Sequence, residues 1–303
     1  MPTHRGSIRI FSFLGIDVYL HWSWFFVALY GIYYRTHEYS SLGWNGLEYL
    51  ALFALVLLHE FGHQLACRQV GGVTHDIILW PLGGVAYVSP PQRPGAQLWS
   101  IAAGPLVNVA LTPLLLGLVL LSRQLGWGAS LPDLNTLLHI ILYINVGLLV
   151  FNLLPIYPLD GGQILRSLLW YGLGRAYSLQ AACIIGFVGA AGIVVLAVLL
   201  QSVWIGIMAA FLVINCWRGL QQALVLTKLA KIPRRAGYAC PSCLTAPVAG
   251  QYWNCGRCGQ TFDTFETRAV CPQCGAHYDL TQCLDCGTTR PFHEWVAPTS
   301  HDR

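Results

Sequence analysis

The chain has 303 residues, 55% of them hydrophobic and 10% charged, with a net charge of +4. Ordinary soluble domains carry roughly 25% charged residues, so this composition excludes one and leaves room for about six membrane spans with one small soluble piece. The N-terminus, MPTHRGSIRIF, lacks the apolar core and small-residue cleavage site of a removable signal, and the first span is expected to be retained.

Apolar segments lie at about 17–34, 46–70, 97–122, 134–154, 176–200 and 202–227, each near the roughly 20 residues a spanning helix needs. Trp and Tyr crowd their ends, as in YLHWSW, YGIYY and GWNGLEY, which suits the headgroup boundary. Between the second and third segments, VTHDIILWPLGGVAYVSP reads as two short β-rich runs around a Pro-Leu-Gly-Gly turn, a hairpin dipping into the cytoplasmic half of the membrane. The fourth segment runs into NLLPIYPLDGG, where Pro155, Pro158 and the Gly161-Gly162 pair stop a helix. Irregular backbone at membrane depth is tolerated only beside protein or water, so this break marks a cavity. The expected fold is an all-α membrane protein of six transmembrane helices with a short membrane-dipping β-hairpin and a small C-terminal zinc-ribbon domain.

Basic residues set the orientation. With a cytoplasmic N-terminus, the cytoplasmic side receives Arg5, Arg9, Arg68, Arg93, Arg166, Arg175, Arg218, Lys228, Lys231, Arg234 and Arg235, and the outer side only Arg35 and Arg123. This asymmetry satisfies the positive-inside rule and places both termini in the cytoplasm. The domain boundaries follow: residues 1–227 form the membrane domain, 228–237 a basic linker, and 238–303, where the cysteines come in pairs, a cytoplasmic domain.

Ionisable groups inside an apolar run are by default functional. In ALFALVLLHEFGHQLA, His59 and His63 are four apart and share a helix face, so their imidazoles can reach one metal while Glu60 turns to its open side. A catalytic zinc takes three protein ligands plus water. Among the acidic residues in or near apolar segments (Asp17, Glu48, Glu60, Asp76, Asp133 and Asp160), only Asp160 lies where the helix breaks, which makes it the best third ligand. Cys67, one turn beyond His63, is a possible soft ligand but reads better as a small packed side chain. On a helix rising 1.5 Å per residue, His59 lies nine residues from Arg68, roughly 14 Å inside the cytoplasmic boundary. His21 reads as an interfacial residue and Asn108 as a bond across helices, beside the small Ala102, Ala103 and Gly104. His139, Cys183 and Cys216 read as packing.

His59-Glu60-Phe61-Gly62-His63, then Gly104-Pro105-Leu106-Val107-Asn108, then Asn152 ahead of Leu159-Asp160-Gly161 resemble, in this order, the site-2 protease family of intramembrane zinc metalloproteases. The resemblance covers roughly residues 8 to 225, including His21-Trp22-Ser23 and Leu82-Gly83-Gly84-Val85. It implies zinc on His59, His63 and Asp160, Glu60 activating water, and Asn152 holding the substrate carbonyl or its oxyanion. The expected activity is endoproteolysis of a membrane-embedded segment in a single-pass substrate already trimmed by another protease. Such a substrate must unwind before attack, and a hairpin edge at Val85, Tyr87 and Val88 could pair with the extended stretch; a plug or packing element is the other reading of the hairpin. Some family members carry paired nucleotide-binding modules at the C-terminus, whereas this chain carries cysteine pairs, so their regulation does not transfer.

In the tail, Cys240-x2-Cys243, Cys255-x2-Cys258, Cys271-x2-Cys274 and Cys283-x2-Cys286 supply eight thiols for two four-cysteine zinc sites. Short spacers favour sequential pairing: Cys240, Cys243, Cys255 and Cys258 on one ion, Cys271, Cys274, Cys283 and Cys286 on the other. Disulfides compete with this reading but suit a reducing cytoplasm poorly, and iron is a minor alternative. Each ribbon is expected to be too small for a core, leaving metal as the main stabiliser. From Tyr238 onward, four basic residues face six acidic ones, which argues against nucleic acid and for a protein-docking or substrate-gating module. The expected cofactors are three zinc ions, one catalytic and two structural; the expected surroundings are the lipid bilayer, a single-pass membrane protein substrate, and a possible protein partner at the ribbons. The alternatives are a catalytically silent scaffold, which would not need Glu60, and a metal transporter, which would need polar sites across the membrane.

Overall fold

A computed structural model describes residues 6–35, 37–80 and 83–296; Arg5, Leu82, Asp302 and Arg303 lie outside them. Five helices among these residues are long and apolar enough to cross a membrane: α2 (Leu42–Gln69), α3 (Pro94–Gln124), α5 (Pro132–Leu153), α6 (Asp160–Leu199) and α7 (Val203–Ala230). A single helical turn, α4 (Trp127–Ser130), joins α3 to α5. Exposed side chains such as Leu114, Val188, Val195 and Val198 give α3 and α6 apolar outer surfaces, as a lipid environment requires.

The expected first span is not one helix. Its apolar run divides between strand β2 (Ile16–His21) and helix α1 (Trp24–Tyr34), whose 11 residues rise only about 16 Å. β2 belongs to a four-stranded sheet with β1 (Ser7–Phe13), β3 (Val73–Trp80) and β4 (Gly83–Ser89), in the order β1-β2-β3-β4. The sequence reading gave the β3–β4 hairpin but not β1 and β2. Their signal is the Ser-Ile-Arg-Ile alternation followed by a turn at Leu14-Gly15, both with positive φ. β2 runs parallel to β3, pairing Val18 with Ile77, and the fully buried Ile16, Val18, Ile77 and Leu79 pack with Val56 of α2.

Two anchors fix this segment along α2. Arg68 donates to the Leu14 carbonyl at 2.6 Å and to Thr74 Oγ1 at 2.8 Å. Toward the other end, the Asn45 amide donates to the Arg35 carbonyl at 2.7 Å. Six residues of strand at about 3.3 Å and 11 of helix at 1.5 Å cover roughly 36 Å, and the helical rise from Asn45 to Arg68 is about 35 Å. Residues 16–35 therefore run the length of α2.

α6 is two helices in one. Gly174, at φ 75° and ψ 172°, breaks it, and a second helical stretch starts at Arg175. Its first turn sits under the loop that follows α5, and here Gly161 and Gly162 are needed: a methyl on either would strike backbone of Leu153 and Leu154, or of Ile156 and Tyr157.

The tail forms one folded unit. Its strands β5 (Trp253–Asn254) and β6 (Thr261–Phe262) pair, as do β7 (Leu280–Gln282) and β8 (Thr289–Pro291). Each cysteine pair sits on a turn closed by an N–H four residues beyond the first cysteine bonding back to that cysteine's carbonyl: Leu244 to Cys240, Gly259 to Cys255, Gly275 to Cys271, Gly287 to Cys283. The closing residue has positive φ in all four, which explains why three of them are glycine.

The sequential pairing of these knuckles is corrected by the structure. Cys240, Cys243, Cys283 and Cys286 gather into an outer set, and Cys255, Cys258, Cys271 and Cys274 into an inner one. The pairing is nested because the ends of the tail meet: Tyr238 bridges to Val296 and the Ala239 N–H donates to the Trp295 carbonyl at 2.8 Å. The expectation of coreless ribbons also fails. Buried Trp295 and Phe265 pack with Tyr238, Trp253 and Phe292 beside the outer cysteines, and Trp253 also packs against the inner set. Within 228–237, α7 continues to Ala230, Arg234 pairs with Asp285, and Arg235 pairs with Asp263 and Glu266. Replacing Cys255, Cys258, Cys271 and Cys274 together by serine should release one tail ion and leave the other in place, because all four share one ion. Mass spectrometry of the intact protein counts the ions, and loss of both tail ions from that quadruple replacement, as sequential pairing requires, would contradict nesting.

Candidate metal centre

α2 carries His59, Glu60 and His63, all buried, near its C-terminal end. α3 crosses it closely because neither helix has a side chain at the crossing. A methyl on Gly62 would press the Ala103 carbonyl at 2.7 Å, and one on Gly104 would lie 2.8 Å from His59 Nε2 and strike His63 Nε2. The histidine rings occupy the space that a Gly104 side chain would need.

Hydrogen bonds fix both rings. His59 Nδ1 donates to Asn108 Oδ1 at 2.7 Å, and His63 Nδ1 donates to the Ser100 carbonyl at 2.9 Å. With the protons on Nδ1, both Nε2 atoms present lone pairs to one point. Asn108, fully buried, is held in turn: its amide donates to Asn145 Oδ1 at 2.8 Å, and the Asn145 amide donates to the Asn108 carbonyl and to Thr112 Oγ1, each at 3.0 Å. The sequence reading placed Asn108 across helices but missed Asn145, whose signal was a polar residue inside an apolar span.

Asp160, at the first position of α6, brings the third donor. Its Oδ2 lies 3.0 Å from His59 Nε2 and 3.4 Å from His63 Nε2, and the two Nε2 atoms are 3.2 Å apart. Three ligands of one tetrahedral ion bound at 2.0–2.1 Å are about 3.3 Å apart. The three donors therefore fit zinc in spacing and in chemistry. Glu60, beside them, packs against β4: a methyl on Gly84 would meet its carboxylate. The hairpin thus reaches the depth of the histidines. Asn152 lies half-buried in the last turn of α5. Val85, Tyr87 and Val88 lie on β4, at the edge of the four-stranded sheet. His21 bonds locally to Ser23 Oγ at 2.5 Å, and the Cys67 thiol turns to the Val73 carbonyl.

The tail offers two more sets. Sulfur–sulfur distances are 3.7 and 3.8 Å in the outer one and 3.5 and 3.6 Å in the inner one. Tetrahedral zinc with 2.3 Å bonds to sulfur separates its ligands by about 3.8 Å, and no cysteine is in a disulfide. Within the outer set, hydrogen bonding from Cys240, then from Cys283, lowers the pKa of the Cys243 thiol, while hydrogen bonding from Cys243 raises that of Cys240.

Peptidase family M50 matches residues 48–131 and 127–197. A solved chain, the site-2 protease from Methanocaldococcus jannaschii, superposes with a TM-score of 0.52 at 28% identity, over 71% of this chain and 95% of that one. The zinc metalloprotease MJ0392 of the same organism is 34% identical over 182 residues, which are 59% of this chain and 50% of that protein. The chain spans about half the length of the curated relatives it matches. With its helical membrane core and its two histidines and aspartate, it belongs to the site-2 protease family.

Gly104→Ala should cost the site its metal by displacing both rings, whereas Gly117→Ala on the same helix, which has open space around it, should leave metal content unchanged. Zinc per chain, measured by mass spectrometry on purified protein, checks both.

Proposed function

We propose that this chain is an intramembrane zinc endopeptidase that cuts a transmembrane or membrane-embedded segment of a single-pass membrane protein. One observation carries the reading: a His59–His63–Asp160 donor set adjoins a buried carboxylate, Glu60, directly beneath a sheet edge. A scaffold has no use for that carboxylate.

His59, His63 and Asp160 hold the catalytic zinc, and the two nested cysteine sets hold structural zinc. Zinc at the first site, when bound, supplies a Lewis acid that polarises the peptide carbonyl and makes water more acidic. Glu60 accepts the proton of the attacking water and returns it to the departing amine. Asn152 donates its amide to the carbonyl oxygen as negative charge develops there. Asn108 and Asn145 act through His59, keeping its Nδ1 protonated and its ring oriented. A substrate helix shields its carbonyls in its own hydrogen bonds, so it must open locally. The edge of β4 at Val85, Tyr87 and Val88 offers the opened stretch backbone partners.

The protein has six crossings, the first made of β2 and α1 together, which keeps the Leu14-Gly15 turn and the tail on one side. The basic-residue asymmetry makes that side the cytoplasm. A strand is tolerated in the first crossing because its N–H and C=O groups are paired in the sheet. Residues 1–227 form the protease domain and 238–303 a cytoplasmic module that docks a protein partner or gates the substrate.

The assigned roles fail differently. His59→Ala, His63→Ala and Asp160→Ala should each lose catalytic zinc together with cleavage. Glu60→Gln should keep zinc and cleave slower by a few orders of magnitude, on the scale of a lost general base. Asn152→Ala should keep zinc and lose roughly 100-fold in rate. The assay pairs zinc analysis with cleavage of a membrane peptide by purified protein; wild-type cleavage by Glu60→Gln would refute the mechanism.

A proline scan tests the edge strand separately, since proline removes a backbone donor. Proline at Val85, Tyr87 or Val88 should impair cleavage with zinc content unchanged. Normal cleavage by all three would make the hairpin a packing element only.

A further inference from the structure

A cavity of about 330 Å³ lies between the membrane domain and the tail, lined by Arg93 and Pro94 of α3, Trp170 and Arg175 of α6, Arg234 after α7, and Cys243 and Asp285 of the outer cysteine set, among others. Its size lies in the range of small-molecule sites. Three guanidinium groups line it against one carboxylate. Asp285 pairs within the site: its two oxygens take Arg234 at 2.5 and 3.0 Å and offset that one charge, and its backbone carbonyl takes Arg175 Nη1, which leaves the charges of Arg93 and Arg175 without a carboxylate in the lining. Arg93 is exposed and makes no ion pair among the described residues. Arg175 Nε is buried with no hydrogen-bond partner, as is Nε of nearby Arg166, and both guanidinium groups lie over the Trp170 ring, at 5.9 and 5.7 Å.

Backbone adds to the same field. α3 begins at Pro94, and the second stretch of α6 begins at Arg175, after the break at Gly174. Helix N-termini carry partial positive charge and unpaired N–H groups. Two of them open here, with the three arginines, where α7 leaves the membrane domain. The site is therefore electropositive, offers forked donors, and has an aromatic wall.

We propose that this cavity binds a phosphate-bearing anion, held by Arg93 and Arg175 with the first turns of α3 and the second α6 stretch. Forked guanidinium donors match phosphate oxygens in geometry and charge. The phosphate belongs either to the headgroup of an anionic lipid or to a small soluble molecule. In either case it shares Arg175 and Arg234 with Asp285, so it lies at the seam that holds the tail to the membrane domain.

The test uses full-length, zinc-loaded protein, stripped of lipid in detergent, with bound ligand read by native mass spectrometry. The probes are dioleoylphosphatidylglycerol, zwitterionic dioleoylphosphatidylcholine, and inorganic pyrophosphate. One phosphatidylglycerol or one pyrophosphate should bind per chain; the first without the second assigns a lipid headgroup, and binding of pyrophosphate assigns a soluble anion. Arg93→Gln and Arg175→Gln should each weaken binding about tenfold or more, the scale of a lost charge-assisted hydrogen bond. Arg93→Lys, which keeps the charge but not the fork, should bind more weakly than the wild type and more tightly than Arg93→Gln, and Arg123→Gln, at the opposite end of α3, should change nothing. Because Arg93 is exposed and makes no ion pair among the described residues, its variants remain informative if Arg175→Gln loses zinc or unfolds. The proposal is overturned if neither probe binds, if phosphatidylcholine binds as tightly as phosphatidylglycerol, or if Arg93→Gln binds like the wild type.

Discussion

Two imidazole lone pairs and a carboxylate oxygen converge within 3.4 Å at a buried point. Without a cation this convergence of acceptors is unfavourable, and low polarity around it makes the penalty larger. Much of the surrounding architecture follows from making the convergence unavoidable. α2 sets two rings on one face, and α3 gives up a side chain at Gly104 to admit them. Asn108 and the Ser100 carbonyl occupy the opposite nitrogens. The glycine pair after Asp160 lets the preceding loop fold against α6, so that the carboxylate starts a helix beside the rings. Each is a backbone or second-layer feature, and none could be changed freely once the rings are fixed.

Local chemistry was legible in the sequence where spacing alone determines geometry. His59 and His63 are four apart, and a helix does the rest. Asp160 was identifiable because, of the acidic residues in or near apolar segments, it alone lies where the helix breaks. The four cysteine pairs announced four knuckles, since a knuckle is a local turn. The partners of those knuckles were not legible. Spacer length is a one-dimensional measure, whereas the nesting comes from Tyr238 meeting Val296 and from Trp295 and Phe265 filling the space between. Asn145 escaped for a similar reason: its partner, Asn108, is 37 residues away.

The segment formed by β2 and α1 shows how two patterns can share one stretch. An apolar run of helical length begins inside a strand, and the run masks the alternation that precedes it. Composition reported that the segment avoids water; only sheet pairing with β3 decided its backbone. Because β2 pairs parallel to β3, the strand is available only after α1 and α2 have returned the chain to the same side, a non-local contact that no window of sequence contains.

Nesting also imposes an order on synthesis. The inner cysteine set is complete once Cys274 has emerged, while the outer set needs Cys283 and Cys286, and the Tyr238–Val296 bridge needs a further ten residues. During translation the inner lobe can mature first, and the outer lobe stays open until nearly the whole tail has been made. Asp285, which ties the tail to Arg175 and Arg234, belongs to that last knuckle. A polypeptide cut short between Cys274 and Asp285 would carry a finished inner lobe with nothing to clasp, so attachment of the tail to the membrane domain reads out that the ribosome has reached the final cysteine pair.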